Sequence, residues 1–139
     1  MTTRTRFAVL ALVLLAGAGC GTPVKGPDFL DLNPVKGVVK RGGQPVRGGS
    51  VRFTPDPSQA DFVVNSVVGD DGTFALSTVR TTDSKGERRS GAPTGKYKVT
   101  YTPLLGDQTA GGSTNPVELP TPVTVNAGNN DLTVDLSKK

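Results

Sequence analysis

From residue 35 onward the apolar residues come in short alternating runs, and each run is closed by Gly, Pro, Asn or Asp. That punctuation decides what the chain can fold into, because a helix needs apolar positions repeating every three to four residues over two turns or more. No such stretch occurs after the first twenty residues. Alternation puts successive side chains on opposite faces of an extended strand. Val51 and Phe53 then share one face with Arg52 and Thr54 on the other, and Tyr97, Val99 and Tyr101 oppose Lys96, Lys98 and Thr100. The aliphatic residues lean the same way: the chain has 18 Val and no Ile, and β-branched Val favours strands.

Seven strands are predicted, over residues 35–40, 50–54, 62–69, 73–77, 96–101, 123–125 and 132–136. Gly42, Gly43 and Pro45 break the first run, and Pro55 and Pro57 end the second because proline donates nothing to a ladder. The third is expected to bend near Asn65 and Ser66, where two Val-Val pairs interrupt the alternation. Asp70, Asp71 and Gly72 form a hairpin turn to the fourth. Residues 81–95 and 104–116 read as long loops, and residues 127–130 as the turn joining the last two strands. Short strands at this spacing predict an all-β fold, a seven-stranded immunoglobulin-like or transthyretin-like β-sandwich that buries one face of each of two sheets.

The first twenty residues carry different information. Arg4 and Arg6 precede the unbroken apolar run 7–15, followed by Ala16, Gly17, Ala18, Gly19 and the only cysteine, Cys20. A basic start, a short helical apolar centre and a small-residue exit describe a secretory signal, too short to remain as a membrane span. Residues 14–20 (LLAGAGC) resemble the lipobox of bacterial lipoproteins, with Gly17 standing where that family prefers Leu. The resemblance implies a signal peptide over residues 1–19 and an acylated Cys20 as lipid anchor, with diacylglycerol on the thiol and usually an acyl (palmitate-type) chain on the new amine. Gly21, rather than Asp, after the cysteine implies the outer membrane or cell surface. Two other readings stand beside it: ordinary cleavage after Ala18, leaving Cys20 a free thiol, and a cytosolic chain with an apolar start. Losing residues 1–19 removes Arg4 and Arg6 and lowers the net charge from +4 to +2, too little and too scattered for nucleic acid. Residues 20–34, with Pro23, Pro27 and Pro34, are expected to form a flexible tether, with Phe29, Leu30 and Leu32 folded back onto the domain edge.

Three pieces of the remainder, residues 35–139, carry a second resemblance. VKGVVKRGGQPVRGGSVRFTP (35–55), Asp71-Gly72-Thr73-Phe74 and Pro93-Thr94-Gly95-Lys96-Tyr97 are similar, in order, to the signatures of carboxypeptidase regulatory-like domains. The resemblance implies a transthyretin-like Greek-key sandwich without catalysis of its own.

Composition removes several chemistries. The chain has no His, so His-assisted nucleophiles and His-ligated metals are excluded, and a transthyretin-like hydrolase is the least favoured reading. An internal isopeptide is disfavoured because Lys36 alternates toward water and Glu87 and Glu118 fall in loop or edge positions. Asp70-Asp71-Gly72 lacks the alternating acids and closing Glu of a calcium loop. Lys85, Arg88 and Arg89, mixed with Asp83 and Glu87, read as an exposed polar loop. The expectation is a protein that is not an enzyme and uses no cofactor or metal. It would be a lipid-anchored envelope module for protein interaction or display, meeting the membrane through its N-terminus and an envelope protein or glycan through its loops. The alternative is a small-ligand or carbohydrate-binding module using loops 81–95 and 104–116.

Overall fold

The computed structural model describes residues 26–82, 85–105 and 115–137. The expected signal peptide, Cys20 and most of the expected 104–116 loop lie outside the described residues. The described residues are all-β, with eleven strands in two sheets. In chain order they are β1 (Val35–Arg41), β2 (Gln44–Pro45), β3 (Ser50–Asp56), β4 (Phe62–Val67), β5 (Thr73–Ala75), β6 (Ser77–Arg80), β7 (Arg88–Ser90), β8 (Gly95–Thr102), β9 (Val117–Glu118), β10 (Val123–Val125) and β11 (Asn130–Asp135). The smaller sheet runs β11-β1-β2, with β5 also on β1. The larger runs β10-β8-β3-β4-β6-β7, with β9 also on β8.

One core fills the space between them. Val35, Val39, Phe74 and Val134 enter from the smaller sheet, and Val51, Phe53, Val64, Tyr97, Val99 and Tyr101 from the larger. The Phe53 ring touches Phe74 and Tyr97 at centroid distances of 5.9 and 6.0 Å. The tyrosines keep their hydroxyls satisfied at the core boundary: Tyr97 donates to the Pro93 carbonyl at 2.7 Å and Tyr101 to the Gly48 carbonyl at 3.0 Å. Burial pushes the Tyr97 phenol up to about 12 from the usual 10, since a phenolate there would lose its water.

β1 lies parallel to β11, with Val35 opposite Asn130 and Val39 opposite Val134. Gly37 makes this pairing possible beside the core, because a Cβ there would collide with the Leu132 carbonyl and the Phe74 ring. The turn at 70–72 forms as expected. Gly72 sits at φ +79°, and the Asp71 carboxylate accepts from the Thr73 amide (3.0 Å) and hydroxyl (2.7 Å). Those two bonds hold the Asp71 carboxyl below the usual carboxylate range.

Several expectations are corrected. The run after Gly72 is two strands: Thr73–Ala75 pairs β1 in the smaller sheet, and beyond Leu76 the chain pairs β4 in the larger. One extended segment thus closes a corner of both sheets. The expected turn at 127–130 is present, and it joins strands of different sheets, since β10 pairs β8 while β11 pairs β1. β3 continues through Pro55 to Asp56, because pairing with β4 stops at Phe53–Val64 and leaves that flank an edge where a missing N–H costs no ladder bond. β4 keeps its register through Asn65 and Ser66: Phe62, Val64 and Val68 point inward, and Val67 stays outside. The 81–95 loop contains β7, paired to β6.

Candidate functional site

Three arrangements of side chains stand out, and they differ in whether their polar groups already have partners. The first is where the N-terminal segment meets the fold. Phe29 packs against Phe62 with centroids 5.4 Å apart, and the Arg80 and Arg89 guanidinium carbons each lie 4.6 Å from the Phe29 ring centre. Glu87 ties the two arginines together, with contacts of 3.3 Å to Arg80 and 2.8 Å to Arg89. Each cation–ring contact contributes ~0.5–2 kcal/mol depending on its desolvation. Gly26 packs against the Arg80 side chain and Thr82, and Asn33 bridges to Ala92. Phe29 thus folds back onto the domain as expected, whereas Leu30 stays 47% exposed. Arg89 and Glu87, read from sequence as an exposed loop, belong to this cluster. Their aromatic partner lies far away in sequence, so the local charge pattern did not reveal it.

The second is a groove of ≈ 580 Å³ where the sheets part beside Leu76, lined by Lys36, Ser77, Ser90, Asn130 and Asp131 among others. Asn130 and the Lys36–Asp131 pair in its wall already have partners. The Asn130 amide donates to the Asn126 and Gly128 carbonyls and accepts from the Asn126 amide, and Lys36 faces Asp131 at 3.8 Å. Ser90 and Gly91 bring the 81–95 segment to this groove, while no described residue of 104–116 lines it.

The third lies on the outer face of the larger sheet, a concavity of ≈ 340 Å³ between Arg52, Arg88, Asn65, Ser50, Thr102 and Val67. Arg88 begins on β7, opposite Val79, and reaches across β6 so that its Nη1 donates to the Asn65 Oδ1 at 3.2 Å. Arg52 stands between Asn65 on β4 and Thr100 on β8, two neutral neighbours. Sequence reading placed Arg52 outward but did not join it to Arg88, because strand order decides that pairing. Val67 is 78% exposed. The Val67-Val68 pair carried a signal for it, since an alternating strand must turn one of two adjacent valines to solvent.

Among the described residues no helix is long and apolar enough to cross a membrane, and no three of His, Cys, Asp and Glu converge to hold a metal.

No known protein family matches the chain, and no curated protein does. Among solved structures it is similar to the crystal structure of (S)-allantoin synthase, at 14% identity and a TM-score of 0.36, over 78% of this chain and 43% of that one. The chain therefore spans less than half the length of that protein. This neighbour's name is that of an enzyme, against the expectation that the chain is not one, and that expectation is withdrawn without an activity being assigned to the chain. Lack of His removes only His-dependent steps and leaves Asp, Lys, Arg and Tyr chemistry untouched. So low a TM-score carries no argument for a particular activity.

Proposed function

We propose that the protein is a lipid-anchored module outside the cytoplasm that presents a β-sandwich to a protein partner at the cell envelope. In this reading Cys20 carries the lipid, and the sandwich is a Greek-key domain of the carboxypeptidase regulatory-like kind, with a seven-stranded framework to which short strands such as β2 and β9 are additions. The docking of residues 26–34 is the observation that supports it. The Phe29 cluster holds the chain against the Phe62 end of the larger sheet, so the anchor would attach there. Only residues 21–25 then separate Cys20 from the docked segment, a reach of roughly 16 Å at ~3.3 Å per residue. The other end of β4, at Val67, is roughly 17 Å farther along the strand. A domain held this way keeps one end near the bilayer and turns the other toward whatever lies beyond it. Two acyl chains make such attachment stable, each buried methylene contributing ~0.8 kcal/mol.

Mass spectrometry of the mature N-terminus tests the anchor. Acylated Cys20 at the N-terminus, with membrane sedimentation lost in Cys20→Ser, is the expected result. An unmodified N-terminus at Gly19 or Cys20 would reject it, and fractionation of inner and outer membranes assigns the compartment. A second reading, a small oligosaccharide in the ≈ 580 Å³ groove, is favoured by the contribution of Ser90 and Gly91 to its wall. A ligand-dependent rise in unfolding temperature, abolished by Ser90→Trp, would support it.

A further inference from the structure

The end of the larger sheet opposite the Phe29 cluster holds exposed aliphatic side chains beside arginines that have no ion-pair partner among the described residues. Val67 lies opposite Ser50, and Ser50 opposite Thr102, so the three form one outward row about 10 Å across. Two residues beyond Thr102 come Leu104 and Leu105, which are 53% and 89% exposed. Leu104 lies over Gly48, where a Cβ would collide with its Cδ1, so the packing of the β2–β3 connection holds it in place. Behind this row lies the concavity of Arg52 and Arg88. Among the described residues neither arginine takes part in an ion pair, and Arg88 is steadied by a neutral amide oxygen.

Several cations elsewhere on the two sheets stand opposite carboxylates. On the outer face of the smaller sheet Lys36 stands opposite Asp131 and Lys40 opposite Asp135. On the larger sheet Asp56 stands opposite Lys96, and Glu118 is opposite Thr100, two strands from Arg52. Lys98, opposite Thr54, adds to the positive charge of this face. A guanidinium fork without a carboxylate partner among the described residues matches a carboxylate supplied by another chain, in two-pronged geometry that a lysine does not reproduce. Exposed aliphatics next to it add a contact that water does not satisfy.

We infer that this end is a docking surface for an acidic segment of another protein, with carboxylates entering between Arg52 and Arg88 and an aliphatic side chain lying on Val67 and Leu104. A protein segment fits better than a glycan. Sugar faces are met by exposed aromatic rings, and here Tyr97 and Tyr101 are fully buried, Phe53, Phe62 and Phe74 are in or at the core, and Phe29 is covered by arginines. A protein segment also fits better than the anchoring bilayer, since the N-terminal segment docks at the other end of β4. That last point rests on the lipid-anchor reading, while the surface itself does not.

The test uses the purified full-length chain in detergent and fluorescence anisotropy with a labelled synthetic peptide of alternating Glu and Leu. Arg52→Gln and Arg88→Gln are each expected to weaken binding about tenfold, near 1.4 kcal/mol, and Val67→Ser a few-fold. Lys40→Gln on the other sheet leaves affinity unchanged. Every substituted side chain is at least partly exposed, and an unaltered unfolding midpoint shows that each variant is folded. Three results would overturn the inference: no binding, equal binding of the same peptide with Ser for Leu, or equally strong competition by polygalacturonate. The first would remove the site, the second would reduce it to charge alone, and the third would make it a glycan site. None depends on acylation, so loss of the anchor in the N-terminal mass and loss of this site remain separate outcomes.

Discussion

The two ends of the larger sheet use similar residues in opposite ways. At the Phe62 end Arg80 and Arg89 share Glu87 and lie over Phe29, so charge, ring and N-terminal segment are consumed in holding one another. Toward the Val67 end Arg52 and Arg88 frame a concavity, and Val67, Leu104 and Leu105 face solvent. Arginine next to an apolar side chain is therefore not itself a sign of a site. What separates the two is the carboxylate. Glu87 closes the first cluster into a structural clasp, and the second has no equivalent among its immediate neighbours.

Both ends hang from one core, and the largest effect is expected where that shared support is broken. Gly37→Val places two methyls against the Leu132 carbonyl and the Phe74 ring, and chemical denaturation should show a loss of about 3 kcal/mol, the upper range for overpacking. Phe29→Ala attacks the clasp alone. It should cost about 2 kcal/mol and raise amide exchange over residues 26–33 while leaving exchange at the Val67 end unchanged. Coupled loss of protection at both ends would show that they are not independent. Glu87→Gln removes the shared carboxylate and should cost about 1 kcal/mol, diminishing in high salt. Arg52→Gln should change stability by less than about 0.5 kcal/mol, because an exposed cation without a partner holds nothing together.

The titratable side chains sharpen the same contrast between groups tied into the fold and groups left open. Tyr97 keeps its proton in the folded chain to about pH 12, whereas in the unfolded chain it ionises near 10. The folded state thus holds more protons between these values, and stability falls as pH rises from 10 toward 12. Alkaline titration followed by unfolding temperature should show this fall, reduced in Tyr97→Phe. Asp71 has the opposite sign: its carboxyl is lowered from 3.8, so its contribution is present above that value and lost as pH falls below it. Asp71→Asn should abolish that part of the acid response and leave the alkaline part intact.

Local alternation made much of the core readable. Tyr97, Val99 and Tyr101 were assigned to one buried face because a period of two admits no other arrangement on a strand, and all three are at most 1% exposed. The Asp71-Gly72 turn was readable because its carboxylate, its hydroxyl partner and its positive φ all lie within three residues. The sheet change at Leu76 was not: residues 73–80 contain no Gly or Pro, and only pairing with β1 and then β4 divides them. Pro55 misled for a related reason, since its tolerance depends on where the β4 partner stops.

What the chain determined by itself is therefore what neighbours in sequence can decide: extended backbone, which side chains share a face, and where turns close. Tertiary structure decided which strands lie side by side. That choice put Phe29 under Arg80 and Arg89, and brought Arg88 across β6 to Asn65 next to Arg52. The reason is physical: side-chain direction is set by backbone dihedrals within a few residues, whereas charge pairing between strands depends on an order that only burial of the whole core selects.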